Sequence, residues 1–461
     1  MTSQNVSVPK GMRDFSPEEM LKRNYIFNII KNVFETFGYM QIETPAMENL
    51  TTLSGKYGNE GDKLIFKVLN SGNFMNAIDK DIHNYTYQQL SNLIAEKGLK
   101  YDLTVPFARY VVQHRNEIVL PFKRYQIQPV WRADKPQKGR YREFFQCDAD
   151  IIGSNSLINE FELLQMSNEI FDKLGIKIEI RLNNRKILMG MANLIDNPQL
   201  LTDITIAIDK VDKIGIDKAM EDLALKGLNE ESVLKIQNII KLKGNNETKI
   251  KQLKRIFVNY TEAIQGIEEL EMILKYNEYQ SLSCPVILDL SLARGLNYYT
   301  GTIIEIKATQ VNIGSISGGG RYDNLTGIFG LPDISGVGIS FGADRIADVM
   351  NELSLFPSYT ETSTKIMFVN FGKKEELFCI QKLKQLREHG ICCELYPDNV
   401  KIKKQMSYAN ARKIPYVVLA GESEINNTNG KLTVKDMSTG TEKLMTTDEI
   451  IKMISDNQNK L

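Results

Sequence analysis

The residues with the clearest chemical potential lie between Trp131 and Gly153, in WRADKPQKGRYREFFQCDADIIG. Arg132, Lys135, Lys138, Arg140 and Arg142 crowd together there, and the stretch then turns apolar and ends in Asp148 and Asp150. A guanidinium offers a planar fork of donors that matches phosphate oxygens. A basic loop followed by a strand carrying acceptors therefore suits a polyanion held beside a small ligand that is cationic or rich in hydrogen-bond donors. Arg132 and Arg345 stand at the ends of predicted elements, as fixed cations. The plain alternative is that each pairs with a surface carboxylate. Arg140 and Arg142 alternate with Tyr141 and Glu143, which on a strand puts both arginines on one face.

A second segment, LARGLNYYTGTIIE (292–305), brings Arg294, Tyr298 and Tyr299 to the start of another strand. The tyrosines serve equally well as core or interface aromatics. Gly318, Gly319 and Gly320 could admit close approach of backbone to a ligand, although a tight turn is the simpler reading. The phosphate-binding pattern Gly-x-x-x-x-Gly-Lys-Ser/Thr is absent. The histidines are His83, His114 and His389, none within these segments. A histidine-centred triad or a histidine-ligated metal is not expected. The chemistry must rest on charge stabilisation and positioning.

These groups need elements to hold them. Ile26, Ile29, Ile30, Val33, Phe34 and Phe37 recur at helical spacing and predict a helix over 19–37, ended by Gly38. A strand over 39–44 meets Pro45, which cannot donate to a ladder, so it belongs at or beside an edge. Residues 60–75 predict a hairpin and 76–98 a polar loop or insertion. A helix carrying Arg109 fills 102–113, and two strands flank the basic loop within 121–153. A helix (155–174) and a strand (177–182) follow. Residues 195–278, rich in Lys, Glu, Leu and Ile, read as a helical insertion. Strand signals return at 286–290 and 302–306, and 336–346 reads as a strand entering a helix. After a polar linker (355–364), a βαβ-like order occupies 365–420, then a hairpin (431–445) and a helix (447–456).

With 461 residues the chain exceeds what one core supports, since single cores rarely grow past about 250–300 residues. Its 57 basic and 57 acidic side chains cancel, so any nucleic-acid contact must come from local patches. Two are candidates: Lys241, Lys243, Lys249, Lys251, Lys254 and Arg255, and then Lys401, Lys403, Lys404, Arg412 and Lys413. The plain alternative is a solvated face with acidic partners. The cysteines number five, with no C-x-x-C pair, which favours a reducing compartment. No apolar run approaches the ~18 residues of a membrane span. MTSQNVSVPKGMRDF lacks an apolar signal core. A cytoplasmic protein without membrane contact is expected.

Phe37–Leu50, Phe122–Gly153 and Gly336–Ile346 resemble the three signature motifs of class II aminoacyl-tRNA synthetases. Those motifs are loose. LARGLNYYTG and SGGGRYDNL are more specific and resemble the two histidine signatures of histidyl-tRNA synthetases. The resemblance runs from PKGMRDF (9–15) through the C-terminal domain. It implies an α+β catalytic domain, an antiparallel sheet flanked by helices, with a helical insertion and a C-terminal α/β anticodon-binding domain. The corresponding boundaries are 1–194 and 279–354 for the catalytic domain, 195–278 for the insertion, 355–364 for the linker and 365–461 for the last domain. A homodimer is implied, with the Pro45 segment as its interface strand.

The resemblance also implies roles. Asp102 and Thr104 match residues that hold the substrate α-amino group, and Gln146 one that contacts the amino-acid backbone. Asp150 lies where an acidic residue meets the imidazole; leaving that carboxylate unmatched costs ~1–3 kcal/mol and disfavours apolar amino acids. Tyr299, with Tyr298 beside it, meets the other ring nitrogen. Arg132 corresponds to the α-phosphate arginine and Arg345 to the γ-phosphate arginine, with Arg140 also on ATP and Phe144 stacked on adenine. Arg294 falls between the substrate carboxylate and the α-phosphate, where it offsets developing charge. Two departures are Asn297, where relatives carry Asp, and Asp134, where they carry Glu. The implied reaction joins histidine to ATP, with Mg²⁺ accompanying the nucleotide, and then moves the histidyl group to its tRNA, a phosphate oxygen of the adenylate acting as base. Three rivals stand: a non-catalytic histidine-binding regulatory paralogue of histidine biosynthesis, a pure RNA-binding scaffold, and a synthetase for another amino acid. The histidine signatures and the C-terminal domain weigh against them.

Overall fold

The computed structural model describes residues 6–55, 61–79, 81–137, 139–293, 299–357, 360, 362–426 and 429–459. The chain divides into two compact units, Met1–Asp14 with Ile26–Leu355, and Phe15–Tyr25 with Phe356–Leu461.

The strands of the larger unit are β1 (Met40–Gln41), β2 (Met47–Asn49), β3 (Lys67–Val68), β4 (Lys97–Leu99), β5 (Phe122–Trp131), β6 (Glu143–Ile152), β7 (Ile178–Asn184), β8 (Val286–Leu288), β9 (Thr302–Ala308), β10 (Ser317–Tyr322) and β11 (Gly336–Gly342). Eight of them form one sheet in the order β1-β5-β6-β11-β10-β9-β7-β8. Its interior is antiparallel, as the sequence implies, and a parallel pair closes each edge: β1 with β5 and β7 with β8. β2, β4 and β3 form a small separate sheet.

Strand β6 explains how the sheet divides its labour. Successive side chains point to opposite faces. Cys147, Ala149 and Ile151 share one face with Phe341, which pairs with Cys147 on β11. Phe341 in turn packs against Phe34 and Phe171, at ring-centroid distances of 5.8 Å each. Phe171 belongs to the helix Ile158–Leu174, so helices cover this face. Truncating such a buried aromatic costs about 3–5 kcal/mol. Gln146, Asp148 and Asp150 share the other face, and they too are buried. A polar face that solvent does not reach is expensive unless it is matched.

Helix Arg185–Leu194 comes first, and helices Leu201–Ile214, Ile216–Leu225, Glu230–Ile240, Asn246–Ile256 and Thr261–Tyr279 then make up the expected helical stretch. Asn184, Asn229 and Asn245 each accept an amide hydrogen bond at a helix start. Gly190 lets the first of these helices approach the last: a Cβ there would lie 2.5 Å from that of Ala263.

Four readings need correction. Residues 60–75 are not a hairpin, because β3 pairs with β4 instead. Residues 76–98 are not a simple loop: they hold the helix Tyr87–Ile94, capped reciprocally by Thr86 and Gln89, and then β4. Strand β1 covers only Met40–Gln41, though it does sit at the sheet edge. The glycine triplet is no tight turn; it lies within β10, paired on both sides.

In the smaller unit, β12 (Ile366–Phe368), β13 (Cys393–Leu395), β14 (Tyr416–Leu419), β15 (Leu432–Asp436) and β16 (Glu442–Met445) form a sheet ordered β13-β12-β14-β15-β16. β12 runs parallel to both neighbours, which is the expected βαβ arrangement. Ile366 and Phe368 face a core with helices Lys373–Glu388 and Thr447–Asn459, while Met367 and Val369 face Ala409 of helix Ile402–Ala411. Among the described residues no helix is long and apolar enough to cross a membrane.

Candidate active site

The large sheet opens into a pocket of about 440 Å³ whose lining includes Arg132, Arg140, Phe144, Gln146, Tyr299 and Arg345. Six of the sequence-derived site residues thus share one cavity. Arg132 follows β5 directly. Its Nε donates to the Tyr101 carbonyl at 3.0 Å, and its guanidinium lies over the rings of Tyr101 and Phe144. Arg345 stands in the first turn of the helix Ala343–Glu352 and donates to the carbonyls of Gly139 (2.9 Å) and Ser315 (2.7 Å). Both cations are braced by backbone carbonyls. Arg140 pairs loosely with Asp134 at 3.4 Å. Arg140 and Arg142 precede β6 rather than lying on it, so the expected strand alternation does not apply to them. Arg142 instead donates to the carbonyl of Asp134, at 3.1 Å.

Asp102 and Thr104 lie at the start of the helix Thr104–Gln113, and neither lines the pocket. Asp102 accepts from the Val105 amide at 3.1 Å. Arg294 and Tyr298 lie outside the described residues, as do Asn297 and Lys138.

Asp150 is buried, with a hydrogen bond at one oxygen and only an ion partner at the other. Arg124 of β5 approaches it at 2.7 Å as an ion pair, and Tyr322 of β10 donates its hydroxyl at 2.6 Å. Burial raises the carboxyl pKa, and Arg124 and Tyr322 oppose the rise. Its neighbour Asp148 is pushed up to about 7, by burial first, against the pull of Arg124 and with the repulsion of Asp150 added. Burial, then the nearby carboxylates, raise the Tyr299 hydroxyl well above its usual range, so it stays a neutral donor. The pocket is therefore cationic along Arg132, Arg140 and Arg345, with carboxylates and tyrosines buried beside it.

Sequence reasoning missed Arg124, Tyr322, Asp344 and any role for Asp148. Asp344 accepts from the Phe145 amide at 3.0 Å and pairs with Arg13, tying the segment after β11 to strand β6. The period-two pattern through Gln146, Asp148 and Asp150 was the available signal for Asp148. Among the described residues no cluster of His, Cys, Asp and Glu side chains forms a metal-ligand group.

Five of the eleven side chains in the basic patches form ion pairs. Lys251 meets Glu247, Lys254 meets Glu271 and Lys241 meets Asp217. In the smaller unit Arg412 meets Glu394 and Lys413 meets Glu18, while Lys401, Lys403 and Lys404 are exposed.

Comparison with known proteins adds independent support. Residues 89–346 match the family described as Histidyl-tRNA synthetase, and residues 365–457 match the family described as Anticodon binding domain. The histidine–tRNA ligase of Phocaeicola vulgatus is 57% identical over 448 residues, covering 97% of this chain and 98% of the relative. That of Porphyromonas gingivalis is 56% identical over 446 residues, covering 96% and 98%. The crystal structure of histidyl-tRNA synthetase from Nostoc sp. PCC 7120 superposes with a TM-score of 0.83 at 28% identity, covering 99% of this chain and all of that one.

Proposed function

The chain belongs to the histidyl-tRNA synthetase family, and we propose that its pocket activates L-histidine with ATP and passes the histidyl group to the cognate tRNA. The observation that carries this reading is the shared cavity. Three guanidinium groups and an aromatic ring suited to a nucleotide line the same space as Gln146 and Tyr299.

In the first step a histidine carboxylate oxygen attacks the α-phosphorus of ATP. The bond to the bridging oxygen breaks and pyrophosphate leaves. Arg132 is braced to meet the α-phosphate and Arg345 the γ-phosphate, with Arg140 alongside and Phe144 against adenine. Such preorganised cations act where charge develops. Arg294 takes the carboxylate side in this scheme. Mg²⁺ enters with ATP as part of that substrate, on its phosphate oxygens. The amino acid lies toward Gln146 and Tyr299, with Asp102 and Thr104 near its amino group and the Asp150–Tyr322 pair, with Tyr298, around the imidazole. In the second step a terminal ribose hydroxyl of the tRNA attacks the carbonyl carbon, its proton passes to a phosphate oxygen, and AMP leaves.

The segment matching the anticodon-binding family supports tRNA as the partner, and its exposed Lys401, Lys403 and Lys404 suit phosphate contacts. A homodimer is supported by the edge position of β1 and by exposed Met40 and Met47. The free cysteines suit a cytoplasmic setting. The regulatory-paralogue reading is disfavoured by near full-length identity to ligases and by the retained C-terminal match.

ATP–pyrophosphate exchange tests the assignment, with histidine set against the other nineteen amino acids and Arg294→Ala alongside. Exchange that depends on histidine and disappears in the variant is expected. No exchange with any amino acid, while histidine still binds, would move the chain to the regulatory reading.

A further inference from the structure

Arg13 does not line the pocket, yet its guanidinium is shared between two residues that do, Tyr141 and Asp344. One face of the group lies over the Tyr141 ring, 3.3 Å from its centroid. Its Nη2 donates to Asp344 at 2.5 Å. Tyr141 belongs to the connection between β5 and β6 and is next in sequence to Arg140. Asp344 is next to Arg345, in the first turn of the helix Ala343–Glu352.

The backbone before Arg13 is fastened to the same connection. The Gly11 carbonyl accepts from the Arg142 amide at 2.9 Å, and the Lys10 carbonyl from Arg142 Nη1 at 3.3 Å. Gly11 has a φ of +88°, and a Cβ there would lie 2.7 Å from Pro136 Cγ, so this approach requires glycine. The connection also meets the helix directly. Arg345 donates to the Gly139 carbonyl at 2.9 Å, and the Tyr141 hydroxyl donates to Asp348 at 3.3 Å.

The chemistry of this place selects arginine. A guanidinium is planar, so its face can stack on a ring while its edge donates in plane; an ammonium group keeps the charge and has no face. Asp344 has a side chain only 4% exposed, and a carboxylate so deep is costly without a cation beside it. Its second oxygen accepts from the Phe145 amide, one residue beyond Phe144. One guanidinium therefore touches the basic connection on one side and, through Asp344, both the helix of Arg345 and the strand of Phe144 on the other.

We propose that Arg13 is a positioning residue for the nucleotide: by stacking on Tyr141 and pairing with Asp344 it fixes Arg140 and Arg345 relative to each other, so that both cations meet one polyphosphate. This rests on the ATP reading of the pocket given above. Preorganised cations bind a polyanion best when their spacing is set before it arrives.

The test is pyrophosphate exchange by the full chain, with ATP and histidine varied separately. Arg13→Ala is expected to raise the KM for ATP about tenfold, as loss of a partly buried cation–π contact and its ion pair does, and to leave the KM for histidine within about twofold. Arg13→Lys keeps the charge facing Asp344 and gives an intermediate KM for ATP. It also serves if the alanine variant does not fold. In a Tyr141→Leu background, which has no ring to stack on, Arg13→Lys should change the KM for ATP by less than about twofold. Equal rises in both KM values, a lowered Tm with an unchanged KM for ATP, or the same penalty for Arg13→Lys with and without the Tyr141 ring overturns the proposal. Absence of ATP-dependent exchange in wild-type protein overturns the ATP reading, and this inference with it.

Discussion

Tyr322 on β10 reaches across β11 to donate its hydroxyl to Asp150 on β6, at 2.6 Å. Two glycines of β11 keep the way clear. A Cβ at Gly336 would lie 2.4 Å from the Tyr322 ring, and one at Gly338 would lie 1.9 Å from Asp150 Oδ1. Neither distance is physically tolerable, so the contact depends on absent side chains as much as on present ones.

Gly338→Ala should therefore separate amino-acid binding from nucleotide binding. The methyl group displaces the Asp150 carboxylate, and histidine affinity is expected to fall more than about tenfold, given the ~1–3 kcal/mol attached to a buried unmatched acceptor. ATP affinity should change little, because Arg132 and Arg345 are braced elsewhere. Titrating each ligand separately checks this, and parallel losses would count against it.

Tyr322→Phe removes one donor and leaves Asp150 with Arg124. The cost in stability should be about 1–3 kcal/mol. Discrimination between histidine and apolar amino acids in pyrophosphate exchange should narrow as well. Unchanged discrimination would mean that the tyrosine only supports the fold.

Arg132→Ala should lower kcat for pyrophosphate exchange by about 10²–10³, the range seen when a preorganised stabiliser of transition-state charge is lost. Arg345→Ala should act more on the KM for ATP, since the γ-phosphate leaves without changing its own bonds. Steady-state exchange kinetics separate the two, and a reversed pattern would exchange the assignments.

Asp148 gives a pH signature of stability. Its carboxyl titrates near 7 when folded, against about 3.9 in an unfolded chain. Between those values the folded state keeps a proton that the unfolded state has released, so this contribution to stability is complete below the lower value and is lost as pH rises through the upper one. Asp148→Asn should raise the Tm at pH 8, by roughly 2–4 °C for each kcal/mol recovered, and raise it less at pH 5. Scanning calorimetry at the two pH values is the check, and an equal shift at both would contradict it.

Much of the scaffold could be read from residue order because burial imposes a period. The helix Pro17–Thr36 and strands β5, β6 and β11 follow apolar spacing closely. Strand β10 hid itself, since three successive glycines carry no side chains to alternate. Helix Tyr87–Ile94 was masked by polar composition, although Thr86 and Gln89 form the reciprocal cap that signals a helix start. Arg132, Gln146 and Arg345 could be picked out through family motifs. The pairing of Asp150 with Arg124 and Tyr322 could not, because it depends on the register of separate strands, which no local spacing encodes.

The two faces of β6 also restrict how this protein can vary in length. Adding or deleting one residue inside the strand would turn Cys147, Ala149 and Ile151 toward the pocket and drive Gln146, Asp148 and Asp150 in among the phenylalanines. No partial accommodation is available, since each register is wholly right or wholly inverted. Insertions compatible with activity must therefore collect in the connection between Trp131 and Glu143, outside the paired strands. That segment can grow or shrink while Gln146, Asp148 and Asp150 stay in step on their face of the strand.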